Sequence, residues 1–226
     1  EVADMAGSSG LSLALDLREH RSVSLLQPTL AQFQGPAICF FMPDTILSRH
    51  EISELMRAHG AGFRGVACRY GAGLIRGYEL GEIMYIVTGD RFLVFDPSGE
   101  FLLEDIDDDA GAEVRGPQAI GKEYAYVASG LPKRFPDQFR PYGHYGFSDE
   151  QGLPGTVIRI PLRTPAQAAR SSIHSRIFCQ TGGQDEFAAS AADFHREATE
   201  TSLLLFARHV SSVRFQIIGA ESAAAK

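Results

Sequence analysis

Alternating and continuous hydrophobic segments predict a series of β-strands along the chain. Leu11–Leu17 alternates apolar with small or polar side chains, which is the period-two pattern of a half-buried strand. Ala37–Met42 is continuously apolar and is bounded by Gly35-Pro36 and Pro43, as expected for a central strand. The same criteria predict further strands at Ile83–Val87, Arg91–Phe95, Glu100–Leu103, Thr156–Ile160 and Ser212–Ile218.

Turn and capping signals complete this pattern. Asp96–Gly99 is a turn sequence that predicts a hairpin between the strands on either side of it. Ser48 and Glu51 form a capping box, which predicts a helix from there to about Ala58. Other helices are predicted at Leu74–Leu80, after Thr164-Pro165, and at Phe187–His209. Helices flanking a run of strands indicate an α/β fold, a two-layer sandwich on a mixed sheet.

Composition narrows the classes of function. The chain has 226 residues, of which 44% are hydrophobic, enough for the core of one large domain. Its net charge of −7 argues against nucleic acid as a partner, and it has neither a basic amphipathic face nor an apolar run for a membrane. The chain lacks an initiator methionine and the pattern of a signal peptide, so we expect a piece of a larger cytoplasmic or nuclear protein.

Cysteine and histidine spacing argues against metal and disulfide chemistry. Cys39, Cys68 and Cys179 are widely separated, which favours thiols in a reducing compartment. The histidines show no spacing typical of zinc ligands, so we predict no metal site. The acidic segment Glu104–Asp109 could hold a cation, but a solvated loop is favoured. The aromatic segment 129–154 is interpreted as packed, irregular chain with one helical turn, rather than as a base-stacking surface.

Candidate chemistry lies at the predicted strand ends and in a glycine-rich loop. The Asp44 carboxylate can accept a hydrogen bond from an adenine amino group, and the Thr156 hydroxyl can support that contact. Gly71 and Gly73 let the backbone approach a phosphate closely. Alternatively, these residues have structural roles only: Asp44 caps a turn, the glycines form turns, and Thr156 is present for its β propensity. The candidate nucleotide-binding residues are Asp44, Arg69, Gly71, Gly73, Gly155 and Thr156.

Several segments together resemble the sacsin family. Leu26–Ala37 resembles the family segment that ends in Gln-Gly-Pro-Ala before a hydrophobic strand. Arg69–Gly73, Thr88–Asp90 and Asp96-Pro97 resemble its glycine loop, its Ser-Gly-Asp turn and its Asp-Pro pair. Pro154–Arg163 is similar to its Pro-Gly-Thr-x-x-Arg-x-Pro-Leu-Arg strand. The order and spacing hold over nearly the whole chain.

The resemblance implies the sacsin type of the GHKL ATP-binding fold, shared with gyrase, the large heat-shock chaperone, MutL and histidine kinases. This Bergerat-type fold is a sandwich of helices on a mixed, mostly antiparallel sheet. The resemblance further implies one domain over residues 1–226, ATP or ADP as the ligand, and protein partners or clients for a chaperone-type protein.

The chain departs from the family where that family holds its metal. Glu1–Ser8 aligns with a family helix that reads Gln-Asn-Ala-Asp-Asp-Ala-Gly-Ala, so Val2 stands in place of the asparagine that binds Mg²⁺. Valine cannot ligate a cation, and Met5 replaces an aspartate. Cys68 replaces the first glycine of the loop, and Leu74-Ile75 replaces Phe-Asn. The resemblance therefore implies a degenerate site, without a catalytic residue or a Mg²⁺ site in this chain.

Three functions follow as alternatives. The first is a chaperone-type module that binds ATP or ADP with little or no hydrolysis, a pseudo-ATPase. The second is a scaffold that keeps the fold for protein–protein contact and binds no nucleotide. The third is an active ATPase whose glutamate precedes residue 1, and Val2 argues against it.

Overall fold

The computed structural model describes residues 2–60, 72–102, 112–113, 121–174, 177, 184–200 and 207–219. Eight strands in these residues form one sheet: β1 (Gly10–Asp16), β2 (Ala37–Pro43), β3 (Met84–Gly89), β4 (Arg91–Phe95), β5 (Ala112–Glu113), β6 (Gly121–Ala125), β7 (Leu153–Pro161) and β8 (Ser212–Ile218). Their order is β5-β6-β4-β3-β7-β2-β1-β8. β8 runs parallel to β1 and the other described pairs are antiparallel, which confirms the mixed, mostly antiparallel sheet.

The longer helices cover one face of the sheet. The α-helices are α1 (Val2–Met5), α2 (Arg49–Gly60), α3 (Ala72–Ile75), α4 (Leu131–Arg134), α5 (Pro136–Phe139), α6 (Pro165–Ala168) and α7 (Gln184–Glu200). Ile52 and Leu55 of α2 pack in one cluster with Met84 and Ile158 of the sheet. Phe187 of α7 packs against Leu15. This arrangement confirms the predicted α/β sandwich. No helix within the described ranges has the length and apolar character needed to cross a bilayer.

Irregular chain and short helices cover the second face. Residues 25–33 and 131–147 pack there against Tyr85, Phe92 and Val157. The prediction of one helical turn in 129–154 was wrong, because α4, α5 and a 3₁₀ helix at Arg140–Tyr145 follow one another there. Each has a proline at its first or second position, where a missing N–H costs nothing.

Cys39 lies in this second-face core, as expected for a core thiol, and Cys68 and Cys179 lie outside the described residues. Burial raises the pKa of the Cys39 thiol to about 11. The thiol is therefore protonated and unreactive at neutral pH.

The predicted hairpin after β4 was wrong. Residues 100–102 belong to no strand, and β4 pairs instead with β3 and β6. The Asp96 carboxylate explains the difference, because it accepts hydrogen bonds from the amides of Gly99 (3.0 Å), Phe101 (2.7 Å) and Leu102 (2.9 Å). These amides are thereby taken up by a side chain and cannot form a ladder.

The last predicted helix extends less far than its pattern suggested. α7 begins at Gln184, and residues 207–209 are not helical, although the sequence predicted a helix through His209. The amides of Arg208, His209 and Val210 donate to the Asp4 carboxylate of α1 instead. A tertiary contact thus overrides the helical pattern at this end.

Two buried arginines of the Pro154–Arg163 segment hold other parts of the chain on the sheet. Arg159 donates to the carbonyl of Phe33 (2.8 Å) and to that of Gly35 (2.6 Å). Arg163 pairs with the buried Glu82 and donates to the carbonyls of Tyr78, Glu79 and Gly81. Arg163 therefore anchors the connection between α3 and β3.

Candidate functional site

β2 and β7 bring Asp44, Gly155 and Thr156 together at one end of the sheet. In the antiparallel register Pro43 lies opposite Gly155, and Met42 lies opposite Thr156. A Cβ on Gly155 would lie 2.4 Å from the Met42 carbonyl oxygen and 3.3 Å from the Asp44 amide nitrogen. Only glycine allows the two strands to approach this closely, so Gly155 fixes the backbone from which Asp44 extends.

Asp44 has an unusual backbone. Its φ is +54°, and among the described residues it is the one non-glycine residue with positive φ. Aspartate tolerates this conformation better than most residues, yet such positions often mark turns or functional sites. The side chain is exposed. No described group forms a hydrogen bond with its carboxylate, which is therefore available to an incoming donor.

A chain of buried hydroxyls fixes the residues that follow Asp44. Thr156 Oγ1 donates to the Thr45 carbonyl at 2.7 Å. Its one hydrogen is thereby used, so Thr88 Oγ1 must donate to Thr156 Oγ1, also at 2.7 Å. The Leu47 amide then donates to Thr88 Oγ1 at 2.8 Å. Both threonines are fully buried, so Thr156 acts here as a positioning residue for the segment after β2.

The predicted glycine loop is described only in part. Gly73 lies exposed on α3, while Arg69, Gly71 and Cys68 lie outside the described residues. Leu74 packs in the same cluster as Met42, so α3 lies on the helix-covered face of the sheet. The described contacts do not join Gly73 to Asp44.

The position that the resemblance assigns to a Mg²⁺ ligand does not fit a metal. Val2 is 7% exposed and packs in the cluster of Met42 and Leu47. An apolar side chain in this core offers no oxygen to a cation, so no role for Mg²⁺ can be built on Val2.

Asp4, in the same helix, has a structural role. Its Oδ1 accepts from the amides of Arg208 (2.8 Å), His209 (2.6 Å) and Val210 (3.2 Å), which ties α1 to the chain entering β8. These bonds lower the pKa of the Asp4 carboxyl below its usual value, and the bond from the His209 amide has the largest effect.

We expect an acid-dependent loss of this contact. Since the pKa of Asp4 is lower in the folded chain than in the unfolded one, its charge stabilises the fold above about pH 4 and ceases to do so as the pH falls through the folded pKa. Urea unfolding of the wild type and Asp4→Asn, measured from pH 6 to pH 3, should show the wild type more stable at pH 6 and the difference shrinking towards pH 3. A difference that is constant over this range would contradict the assignment.

Several residues of this region were not predicted as participants. Thr88 was recognised only as part of the Thr-Gly-Asp sequence, although a buried hydroxyl beside a candidate site is a usable signal. Thr45 contributes a backbone carbonyl, which no side-chain pattern can reveal. Arg163 was recognised in its motif without a role, because its partners lie in a distant part of the sequence.

Comparison with known proteins identifies the family of this chain. None of the curated proteins compared with the chain matches it. The Sacsin domain family matches residues 2–226. Since the match spans nearly every residue, this chain belongs to the sacsin domain family.

Proposed function

We propose that this chain is a nucleotide-binding module of the GHKL type, in which Asp44 accepts a hydrogen bond from the adenine amino group of ATP or ADP. The observation that carries the proposal is the geometry of Asp44. Its carboxylate is exposed on a positive-φ backbone at the end of a central strand, and no described group engages it. The chain's membership of the sacsin domain family also supports the proposal.

The surroundings of Asp44 support recognition of an adenine base. Gly155 and the Thr88–Thr156 hydroxyl pair hold the chain on both sides of Asp44, so the backbone that carries the carboxylate is placed before the ligand arrives. A preorganised backbone lowers the conformational entropy lost on binding. Arg69, Gly71 and Gly73 are proposed to approach the phosphates.

We further propose that hydrolysis is weak or absent. Phosphoryl transfer depends on neutralisation of the triphosphate charge, which bound Mg²⁺ would supply. Val2 supplies no ligand for it, and its side chain belongs to the apolar core. The module would then serve a larger chaperone-type protein in the cytoplasm or nucleus by binding nucleotide, protein partners or clients.

Calorimetric titration with ATP and ADP, with and without Mg²⁺, tests the proposal. We expect binding of both nucleotides, with affinities that depend little on Mg²⁺. GTP is the matched control ligand, since guanine presents a carbonyl acceptor where adenine presents its amino donor. No heat and no thermal shift at millimolar ATP would reject the proposal, as would equal binding of GTP.

A nucleotide-blind scaffold is the second candidate. The Thr156 hydroxyl is buried and already binds Thr45 and Thr88, and Val2 packs in the apolar core, so both side chains already have protein partners. This candidate predicts no response to any nucleotide, so the same titration separates the two.

A further inference from the structure

A groove lies over β1 on the second face of the sheet. Gly10, which has no side chain, and Ser12, which has a small one, line it along β1. Phe41 lies opposite Ser12 on one side, and Arg214 lies opposite it on the other. Large side chains on β2 and β8 thus flank a row of small ones, which leaves a cavity of about 700 Å³.

Aromatic rings form one wall of this groove. Phe41 and Tyr145 are in contact, with ring centroids 5.1 Å apart, and both line the cavity. Tyr145 is 5% exposed, so its ring is a fixed part of this wall. Together the two rings offer an apolar surface to a ligand side chain.

The opposite wall is polar and carries positive charge. Ser212, Arg214 and Gln216 lie along β8 and line the cavity. Arg214 is exposed, and no described acidic side chain pairs with it. Among the described residues that line the cavity, none is aspartate or glutamate, although the chain as a whole has a net charge of −7.

From these features we propose that the groove binds an extended acidic peptide. The peptide lies along β1, places a carboxylate on Arg214 and rests an apolar side chain on Phe41 and Tyr145. A groove that follows a strand accepts an extended peptide, because the side chains of such a peptide alternate between the two sides of its backbone. Because the described lining residues include no carboxylate, an acidic ligand meets the attraction of Arg214 without repulsion from them.

This site is separate from the proposed nucleotide site. Ser12 and Phe41 lie on the second face of the sheet, whereas the Thr88 and Thr156 side chains lie on the helix-covered face with Ile86 and Ile158. Peptide binding can therefore fail while nucleotide binding is retained, and nucleotide binding can fail while peptide binding is retained.

Fluorescence anisotropy with the whole chain tests the proposal. The probe is a labelled, end-capped peptide in which glutamate alternates with apolar residues, Glu-Phe-Glu-Val-Glu-Phe-Glu. We expect saturable binding that weakens with added salt, and no binding of the counterpart with lysine in place of glutamate. Arg214→Glu should lower the affinity for the acidic peptide roughly tenfold and allow the lysine peptide to bind. Ser12→Val, which partly fills the groove without changing the charge of the chain, should also weaken binding of the acidic peptide.

Arg57→Glu is the matched charge control, because Arg57 is exposed on α2, where it pairs with Glu54. It should bind the acidic peptide as the wild type does. Equal losses in Arg57→Glu and Arg214→Glu would indicate non-specific attraction and overturn the proposal, as would no binding by the wild type. Displacement of the peptide by inorganic phosphate alone, or self-association of the chain through this face, would also overturn it. Near-UV circular dichroism checks that each variant is folded.

Discussion

Replacing Arg163 with methionine should lower the free energy of unfolding by about 3–5 kcal/mol. Arg163 and Glu82 are 2% and 3% exposed, so the substitution leaves a carboxylate in the interior without its cation. It also removes the donor that holds the carbonyls of Tyr78 (2.7 Å) and Gly81 (3.0 Å). Arg163→Lys should be intermediate, because an ammonium cannot reproduce the planar set of donors.

Urea unfolding measures this effect, and the chain offers a surface pair for comparison. Arg57→Met breaks the exposed pair with Glu54 and should change stability by less than about 1 kcal/mol. The double variant Glu82→Leu, Arg163→Met should recover part of the loss, since no unpaired charge is left buried. Equal effects of Arg163→Met and Arg57→Met would contradict the anchoring role.

The second large effect is expected at Gly155. Gly155→Ala places a Cβ 2.4 Å from the Met42 carbonyl oxygen and 3.1 Å from the Phe41 ring, so β2 or β7 must shift. We expect a loss of about 1–3 kcal/mol in the free energy of unfolding, the cost of overpacking. Because the shift displaces the Asp44 backbone, ATP affinity should fall as well.

Gly143→Ala is the control for Gly155→Ala. A Cβ on Gly143 meets no atom within 4 Å, and its φ is not positive. This variant should change stability by no more than about 0.5 kcal/mol. If both alanine variants unfold at the same urea concentration as the wild type, Gly155 does not set the strand spacing.

Local patterns predicted six of the eight described strands, because each of these has its own signal, but they did not predict β5 or β6. The alternation of Leu11–Leu17 and the proline boundaries of Ala37–Met42 locate β1 and β2 within a residue or two. Two further errors occurred where a distant or side-chain partner took the backbone amides. Asp96 prevented the expected hairpin, and Asp4 holds the amides of Arg208 and His209, which the periodicity assigned to a helix.

The candidate site was predictable in part. Asp44, Gly155 and Thr156 were chosen from the sequence, and the β2–β7 register places them together. The sequence could not show that the Thr156 hydroxyl binds a backbone carbonyl, because that choice depends on how the chain turns after Asp44. The groove over β1 was not predicted either, since its walls come from three strands and a 3₁₀ helix that are far apart in sequence.

The most direct test of the account is the ATP affinity of Asp44→Gly. Glycine accepts the positive φ of this position, so the variant removes the carboxylate without straining the backbone. Asp149→Gly, which removes an exposed aspartate from a different loop, is the control. We predict that calorimetry shows ATP binding by the wild type and Asp149→Gly, and an affinity at least roughly tenfold lower for Asp44→Gly at an unchanged melting temperature. ATP binding by Asp44→Gly as tight as that by the wild type would contradict the account.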